Sequence, residues 1–366
     1  MTAPVGSAPA RAAFAGHRFT IHAEDGFGLN QWDYLLSFLP HTGSAPVCGQ
    51  VTDIRVRSSH DLFHDRASWL AAAPGQTVTP FRDEPYQRVR LGEVTWWCPA
   101  PGSGLRPDHL YAKDGQGRVH IVLRPEAERG ERYLMRVIRE IVLRCGEHRG
   151  WIAFHASATA IAGAGVLIPG PSGAGKTTVL AALAAHARAD LIASDRALVT
   201  EDAARVVGVP LSVRIAGGTL AALDRGALAL PHPGHRLPGG FRAVRKAAFA
   251  PRDFAYAAHA RVRESAPLAL VVLPRLSDDD QPLTVAFPRS GGLLSQLAAA
   301  CCTPHDEDWL QPWFAERTRS LGDLRRGADA VLGAMAAGVP VMTLTAGVRT
   351  PHLMERIADA ITGRLP

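Results

Sequence analysis

Between Phe19 and Leu123 apolar and polar residues alternate in runs too short for helices, each bounded by Pro or Gly. Period-two alternation rich in Val, Ile, Tyr and Trp marks half-buried strands. It predicts strands at Phe19–His22, Val51–Val56, Gln87–Leu91, Val94–Trp97 and His120–Leu123, with one short helix over Gln31–Leu39. In such a strand the Trp96–Trp97 pair sends one ring into the core and the other to its rim. Tyr133, Leu134, Val137, Ile138, Ile141 and Val142 recur instead at helical spacing, an amphipathic helix closed by Gly146 and Gly150. A strand at Trp151–His155, a turn at Ala162–Gly165, a strand at Gly165–Pro169 and a helix from Thr177 follow. Further strands are expected at Leu191–Asp195, Val206–Val213 and the wholly apolar Leu268–Leu273. Helices at Leu293–Cys301, Trp309–Glu316 and Ala328–Ala337, a strand at Val339–Leu344 and a helix at Pro351–Ile361 close the chain. Residues 1–17, rich in Ala, Pro and Gly, are expected to be disordered, and Leu230–Gly240 to form a mobile loop.

Length adds a domain count. At 366 residues the chain exceeds a typical single domain. The change of pattern near residue 146 divides it into an α+β N-terminal domain over 18–145 and an α/β domain over 146–366.

Charge and cysteine content exclude more than they suggest. The net charge of +6 is carried almost wholly by scattered arginines, the lysines being only Lys113, Lys176 and Lys246. Without basic runs interleaved with aromatics there is no dedicated nucleic-acid surface. Cys48, Cys98, Cys145, Cys301 and Cys302 form no C-x-x-C pair and no zinc spacing, and isolated thiols suit a reducing compartment. Vicinal Cys301–Cys302 reads as small apolar filler at a helix end. No leader pattern or long apolar segment occurs, so a cytoplasmic protein that does not cross a membrane is expected.

One motif carries chemistry. Gly170-Pro171-Ser172-Gly173-Ala174-Gly175-Lys176-Thr177 is G-x-x-x-x-G-K-T, placed between a strand and a helix. Its glycines let backbone N–H groups converge on phosphate oxygens at the positive end of a helix. Gly170, Ser172, Gly173, Ala174, Gly175, Lys176, Thr177 and Thr178 are therefore the candidate nucleotide contacts. Lys176 suits the β/γ-phosphates and the Thr177 hydroxyl suits Mg²⁺, so ATP and Mg²⁺ are the expected ligands. An ABC-type ATPase also needs an L-S-G-G-Q signature and a strand ending in Asp-Glu, and a guanine-nucleotide switch needs N-K-x-D. Neither set is present.

The arrangement that remains is Phe154-His155-Ala156-Ser157-Ala158, then Val166 through Thr178, then Leu191 to Ser194-Asp195, nineteen residues after Lys176. It resembles the catalytic domain of HPr kinase/phosphorylase and, more closely, HPr-kinase-related proteins of bacterial peptide-modification and other biosynthetic settings. Val209–Arg214 and Val339–Leu344 match more weakly. The resemblance covers about residues 130–366 and is specific over 151–196. It implies an α/β fold, a P-loop kinase domain of the HPr kinase/phosphoenolpyruvate carboxykinase type, preceded by a smaller α+β domain. It further implies transfer of the ATP γ-phosphoryl group to a hydroxyl, commonly of serine on a peptide, protein or amino-acid-like metabolite.

The same resemblance gives Lys176, His155 and Asp195 catalytic roles, with Thr177 and Asp195 on the metal. In the family two adjacent acids share Mg²⁺ contact and activation of the accepting hydroxyl; this chain has Asp195-Arg196, so either Asp195 serves both roles or a nearby acid such as Glu201 substitutes. A nucleotide-binding regulatory or partner protein with little kinase activity is the alternative. Arg214, Arg245 and Lys246 stand as phosphate-neutralising cations or as a solvated basic surface. Relatives of this fold often assemble, which leaves a homo-oligomer open. The N-terminal domain is expected to shape acceptor access or assembly and to add nothing to ATP binding.

Overall fold

The computed structural model describes residues 9–24, 29–41, 45, 49–128, 130–223, 240–241, 245–288, 292–306, 308–309 and 311–365, without the side chains of 29–31. Cys48 lies outside the described residues, as does the expected loop at Leu230–Gly240 except for Gly240. The chain is mixed α/β, with two eight-stranded sheets and a two-stranded ribbon. It divides into two compact units that alternate in sequence. The first holds Met1–Leu36, Pro46–Cys145 and His305–Thr318; the second holds Ser37–Ala45, Gly146–Pro304 and Arg319–Pro366.

In the first unit run β1 (Ala10–Phe14), β2 (His17–Glu24), α1 (Leu29–Leu36), β3 (Val51–Ser58), α2 (His60–Ala72), β4 (Gln76–Phe81) and β5 (Glu84–Leu91). β6 (Val94–Pro99), β7 (His109–Lys113), β8 (Val119–Leu123) and α3 (Glu131–His148), which belongs to this unit as far as Cys145, follow. The strand order is β1-β2-β3-β8-β7-β6-β5-β4, parallel at β2–β3 and β3–β8. Residues 10–17, expected to be disordered, instead form the hairpin that starts this sheet. Phe14 and Phe19 are both buried and meet edge to face at 6.3 Å, and that burial outweighs a composition that looks disordered. Ala15 and Gly16 both have positive φ, the two-residue turn whose twist matches its strands. Trp97 is buried and Trp96 only partly so.

Phe63 and Leu70 of α2 pack with Val89, Leu110 and Val122 on one face of the sheet. Tyr86 and Tyr111, at opposite parity on their strands, meet Trp313 on the other, with ring centroids at 4.8 and 5.1 Å. Trp313 comes from a segment expected to be a helix, Trp309–Glu316. None of its described residues is helical. The buried Glu140 of α3 accepts hydrogen bonds from the backbone N–H groups of Trp313 (3.0 Å), Phe314 (3.2 Å) and Ala315 (3.1 Å). Arg144, paired with Glu140 at 3.2 Å, donates to the Trp309 carbonyl at 3.0 Å. Backbone groups committed to these side chains cannot also make helical bonds.

The second unit contains β9 (Ile152–Ile161), β10 (Ala164–Pro169), α4 (Lys176–Ala187), β11 (Asp190–Ala193), β12 (Arg196–Val199), β13 (Arg205–Gly208), β14 (Val213–Ala216) and α5 (Gly217–Leu223). Then come β15 (Lys246–Phe249), α6 (Pro251–Ala257), β16 (Ser265–Ser277), β17 (Thr284–Ala286), α7 (Leu293–Ala300), α8 (Leu321–Gly338), β18 (Val341–Gly347) and α9 (Leu353–Thr362). The main sheet runs β10-β9-β12-β13-β16-β18-β17, with β11 beside β9 and a further parallel pairing of β10 with β16. Parity divides its faces. Val166, Ile168, Leu270 and Val272 join α4 and α9 in one core, while Leu167, Val271 and Leu273 join α7 and α8 in the other. Helix α4 is apolar around its circumference from Val179 to Ala184, as a fully enclosed helix must be. Residues 37–45 belong here because Arg252 N–H donates to the Ser37 carbonyl and Ala45 N–H to Glu264.

Candidate phosphate-binding site

The glycine-rich loop leaves the end of β10, where Pro169 pairs with Ala156 of β9. The Gly170 N–H donates to the His155 carbonyl at 3.3 Å, tying the first loop residue to the neighbouring strand. Gly173 and Gly175 have φ of 80° and 106°, conformations side-chain-bearing residues rarely adopt. Gly175 is also the N-cap of α4 and offers no side chain to cap it. The first-turn N–H groups of α4, at the positive end of its dipole, are thus presented without a capping oxygen from that position. Ser172 is exposed, and Thr177 and Thr178 are partly so. Lys176 is buried, its Nζ donating to the carbonyls of Gly170 (2.8 Å) and Pro171 (3.0 Å). From behind, the Leu276 N–H donates to the Ala174 carbonyl at 3.2 Å.

Asp195 reaches this place through a two-residue link, Ser194-Asp195, between β11 and β12. The link is fixed from three sides. Ser157 Oγ donates to the Ser194 carbonyl at 2.9 Å, Ser194 Oγ to the Ser212 carbonyl at 2.9 Å, and Ala156 N–H to the Asp195 carbonyl at 3.1 Å. Register then places Arg196 opposite His155. His155 Nε2 stands 3.3 Å from Asp195 Oδ1, and Arg196 Nη1 stands 3.0 Å from Oδ2. Burial pushes the Asp195 carboxyl up, but the hydrogen bond from His155 and the charges of Arg196, His155 and Lys176 outweigh it. They hold the group well below the usual carboxylate range. With 41% of its side chain exposed, it is an ionised carboxylate open to solvent.

The donor set suits a hard cation. Among the described residues no group of three or more His, Cys, Asp or Glu could hold a metal ion by itself. A Thr177 hydroxyl and an ionised Asp195 are nonetheless the oxygen donors Mg²⁺ takes when substrate phosphates complete its shell.

His155, Asp195 and the loop therefore come together, and Lys176 with them. Glu201 does not. It follows the far end of β12, beside Gly150 and Arg319, while Asp195 precedes the near end. Six residue steps of extended chain separate the two, about 20 Å at strand rise. Arg214 and Lys246 lie on the exposed face of the β14–β15 ribbon, opposite Ala248 and Ala216. Neither enters a hydrogen bond or ion pair among the described residues.

Two features escaped sequence reading. Arg196, read only as a missing acid, is 1% exposed with its guanidinium on Asp195. The pairing of β12 with β9 is what buries it, and no local pattern announces that pairing. Thr178 Oγ1 lies 3.1 Å from Thr219 Oγ1 on α5, a contact equally invisible in sequence.

No described helix is long and apolar enough to cross a membrane. Neither the models of known protein families nor the curated proteins include a match to this chain.

Proposed function

We propose that the chain is an ATP- and Mg²⁺-dependent kinase of the P-loop type related to HPr kinase and phosphoenolpyruvate carboxykinase. It transfers the γ-phosphoryl group to a hydroxyl of a peptide, protein or amino-acid-like metabolite. The observation that carries this reading is the ionised Asp195, bonded to His155, at the strand ends that also deliver Lys176. The resemblance of residues 151–196 to HPr-kinase-like proteins supports it. A cytoplasmic location belongs to the same proposal.

Mg²⁺-bound ATP supplies the phosphoryl donor and part of the charge neutralisation. The loop N–H groups and the start of α4 hold the phosphates. Lys176 exchanges the carbonyls of Gly170 and Pro171 for phosphate oxygens. Asp195, held ionised by His155 and Arg196, would with the Thr177 hydroxyl hold the metal. A loose transition state asks for position and charge more than for a strong base, which makes the single acid sufficient. His155 fixes the Asp195 carboxylate. The first unit serves acceptor access or assembly.

One observation favours a second reading. The Arg196 guanidinium covers Asp195 where the resembling proteins carry another acid, which suits a nucleotide-binding partner protein with little turnover. Incubating the chain with ATP, Mg²⁺ and a panel of hydroxyl acceptors, read by mass spectrometry, separates the two. The kinase reading expects an acceptor gaining phosphate, and a loss of about 10²–10³ in rate for Asp195→Asn, the scale for removing an electrostatic stabiliser. Tight nucleotide binding with no phosphate transferred to any acceptor selects the partner reading.

A further inference from the structure

Outside the candidate phosphate-binding site the described residues contain a nucleophile set beside a base. Cys145, half-buried near the end of α3, places its Sγ 3.1 Å from Nδ1 of His17. The other ring nitrogen, Nε2, is 2.9 Å from Thr52 Oγ1 on β3. β2 and β3 pair in parallel, with Phe19 opposite Thr52, and the tight turn at Ala15–Gly16 delivers His17 to the start of β2. All three residues belong to the first unit.

Nucleophile, base and orienting hydroxyl in hydrogen-bonded series are the signature of an activated side chain. In the tautomer that carries its proton on Nε2, toward Thr52 Oγ1, the ring turns its Nδ1 lone pair to the sulfur. His17 is 2% exposed, so its ring is held in this orientation by the surrounding structure. The other described cysteines differ. Burial pushes the Cys98 thiol up, and it pushes Cys301 up to about 11 despite a backbone hydrogen bond at Thr303 that favours the thiolate. Cys98, Cys301 and Cys302 have backbone carbonyls as their hydrogen-bond partners, at 3.9, 3.6 and 3.9 Å.

We propose that Cys145 and His17 act as a thiolate–imidazolium pair that makes Cys145 a site of reversible oxidation by small hydroperoxides. His17 takes the thiol proton. The sulfur then attacks one peroxide oxygen, an S–O bond forms as the O–O bond breaks, and the departing oxygen carries the imidazolium proton away as water. Sulfur is oxidised to the sulfenic acid and the peroxide is reduced. Cys145 is a half-buried residue beside an enclosed ring, a setting that favours small reagents over bulky ones and so hydrogen peroxide over larger oxidants.

The test treats the full chain at neutral pH with limiting hydrogen peroxide and dimedone, and in parallel with limiting iodoacetamide. Peptide mass spectrometry then ranks all five cysteines. We expect the dimedone adduct first at Cys145, and alkylation there about tenfold or more faster than at Cys98 and Cys301, the effect of about one unit in thiol acidity. His17→Gln should bring Cys145 into the range of the others. Reaction at Cys145 no faster than at Cys98, or an unchanged rate in a folded His17→Gln chain, overturns the proposal. If that variant does not fold, the ranking in the unaltered chain decides alone.

Discussion

Single residues set the shape of the glycine-rich loop. Gly175 combines a positive φ with close packing, since a Cβ built there would stand 2.5 Å from Leu276 Cδ1. Gly175→Ala therefore incurs backbone strain and a clash together. We expect a loss of about 1–3 kcal/mol, read from urea denaturation, with weakened nucleotide binding. Charge acts at the same scale in the turn joining β7 to β8. Burial pushes the Asp114 carboxyl up, but hydrogen bonds from His120, Arg118 and the N–H groups of Arg118 and Gln116 prevail and lower it to about 2. A carboxyl lowered in the folded state adds stability above its unfolded value, near 4, and loses it as pH falls toward 2. Asp114→Asn should thus destabilise the chain at pH 7, and the difference from the unaltered chain should shrink between pH 4 and 2. A difference independent of pH across that window contradicts the assignment.

At the scale of elements, what could be read in the sequence was whatever its local pattern determines. The strand–loop–helix unit around Lys176 and helix α3 declare themselves through spacing and glycine placement, and their bounds agree with expectation within a few residues. α2 was missed because Phe63 and Leu70 are its buried residues, while Leu62, Ala67 and Trp69 among its charged residues blur any single apolar stripe. β7 was missed although four of its five residues are buried, because Leu110–Ala112, flanked by His109 and Lys113, is an apolar run too short to signal a strand. Trp309–Glu316 failed in the opposite sense. Aromatics at 309 and 313 mimic a helical stripe, while Glu140, more than 160 residues earlier, claims the backbone N–H groups of 313–315. In the site, the loop, His155 and Asp195 were legible, whereas Arg196 on Asp195 depends on strand pairing and was not. Glu140→Ala tests the tertiary override. It removes the carboxylate from the buried Arg144 and from three backbone N–H groups, so a loss of about 3–5 kcal/mol is expected, with increased hydrogen exchange at residues 313–315. A loss below 1 kcal/mol contradicts that account.

At the scale of the molecule, two units share one chain by exchanging segments. Residues 37–45 leave the first for the second, and residues 305–318 return from the second to the first. A cut at Gly146 would therefore take Glu140 and Arg144 away from the segment they hold, so the whole chain is the right object for testing function. The central claim is that the loop at 170–177 binds a nucleotide through Lys176, beside the carboxylate of Asp195. Calorimetric titration of the full chain with a non-hydrolysable ATP analogue in Mg²⁺ tests it most directly, with Lys176→Ala as the comparison. We predict saturable one-site binding that weakens about 10–100-fold in the variant, the loss of a charge-assisted contact of about 1.5–3 kcal/mol. No heat of binding in the unaltered chain, or equal affinity in the folded Lys176→Ala chain, would contradict it.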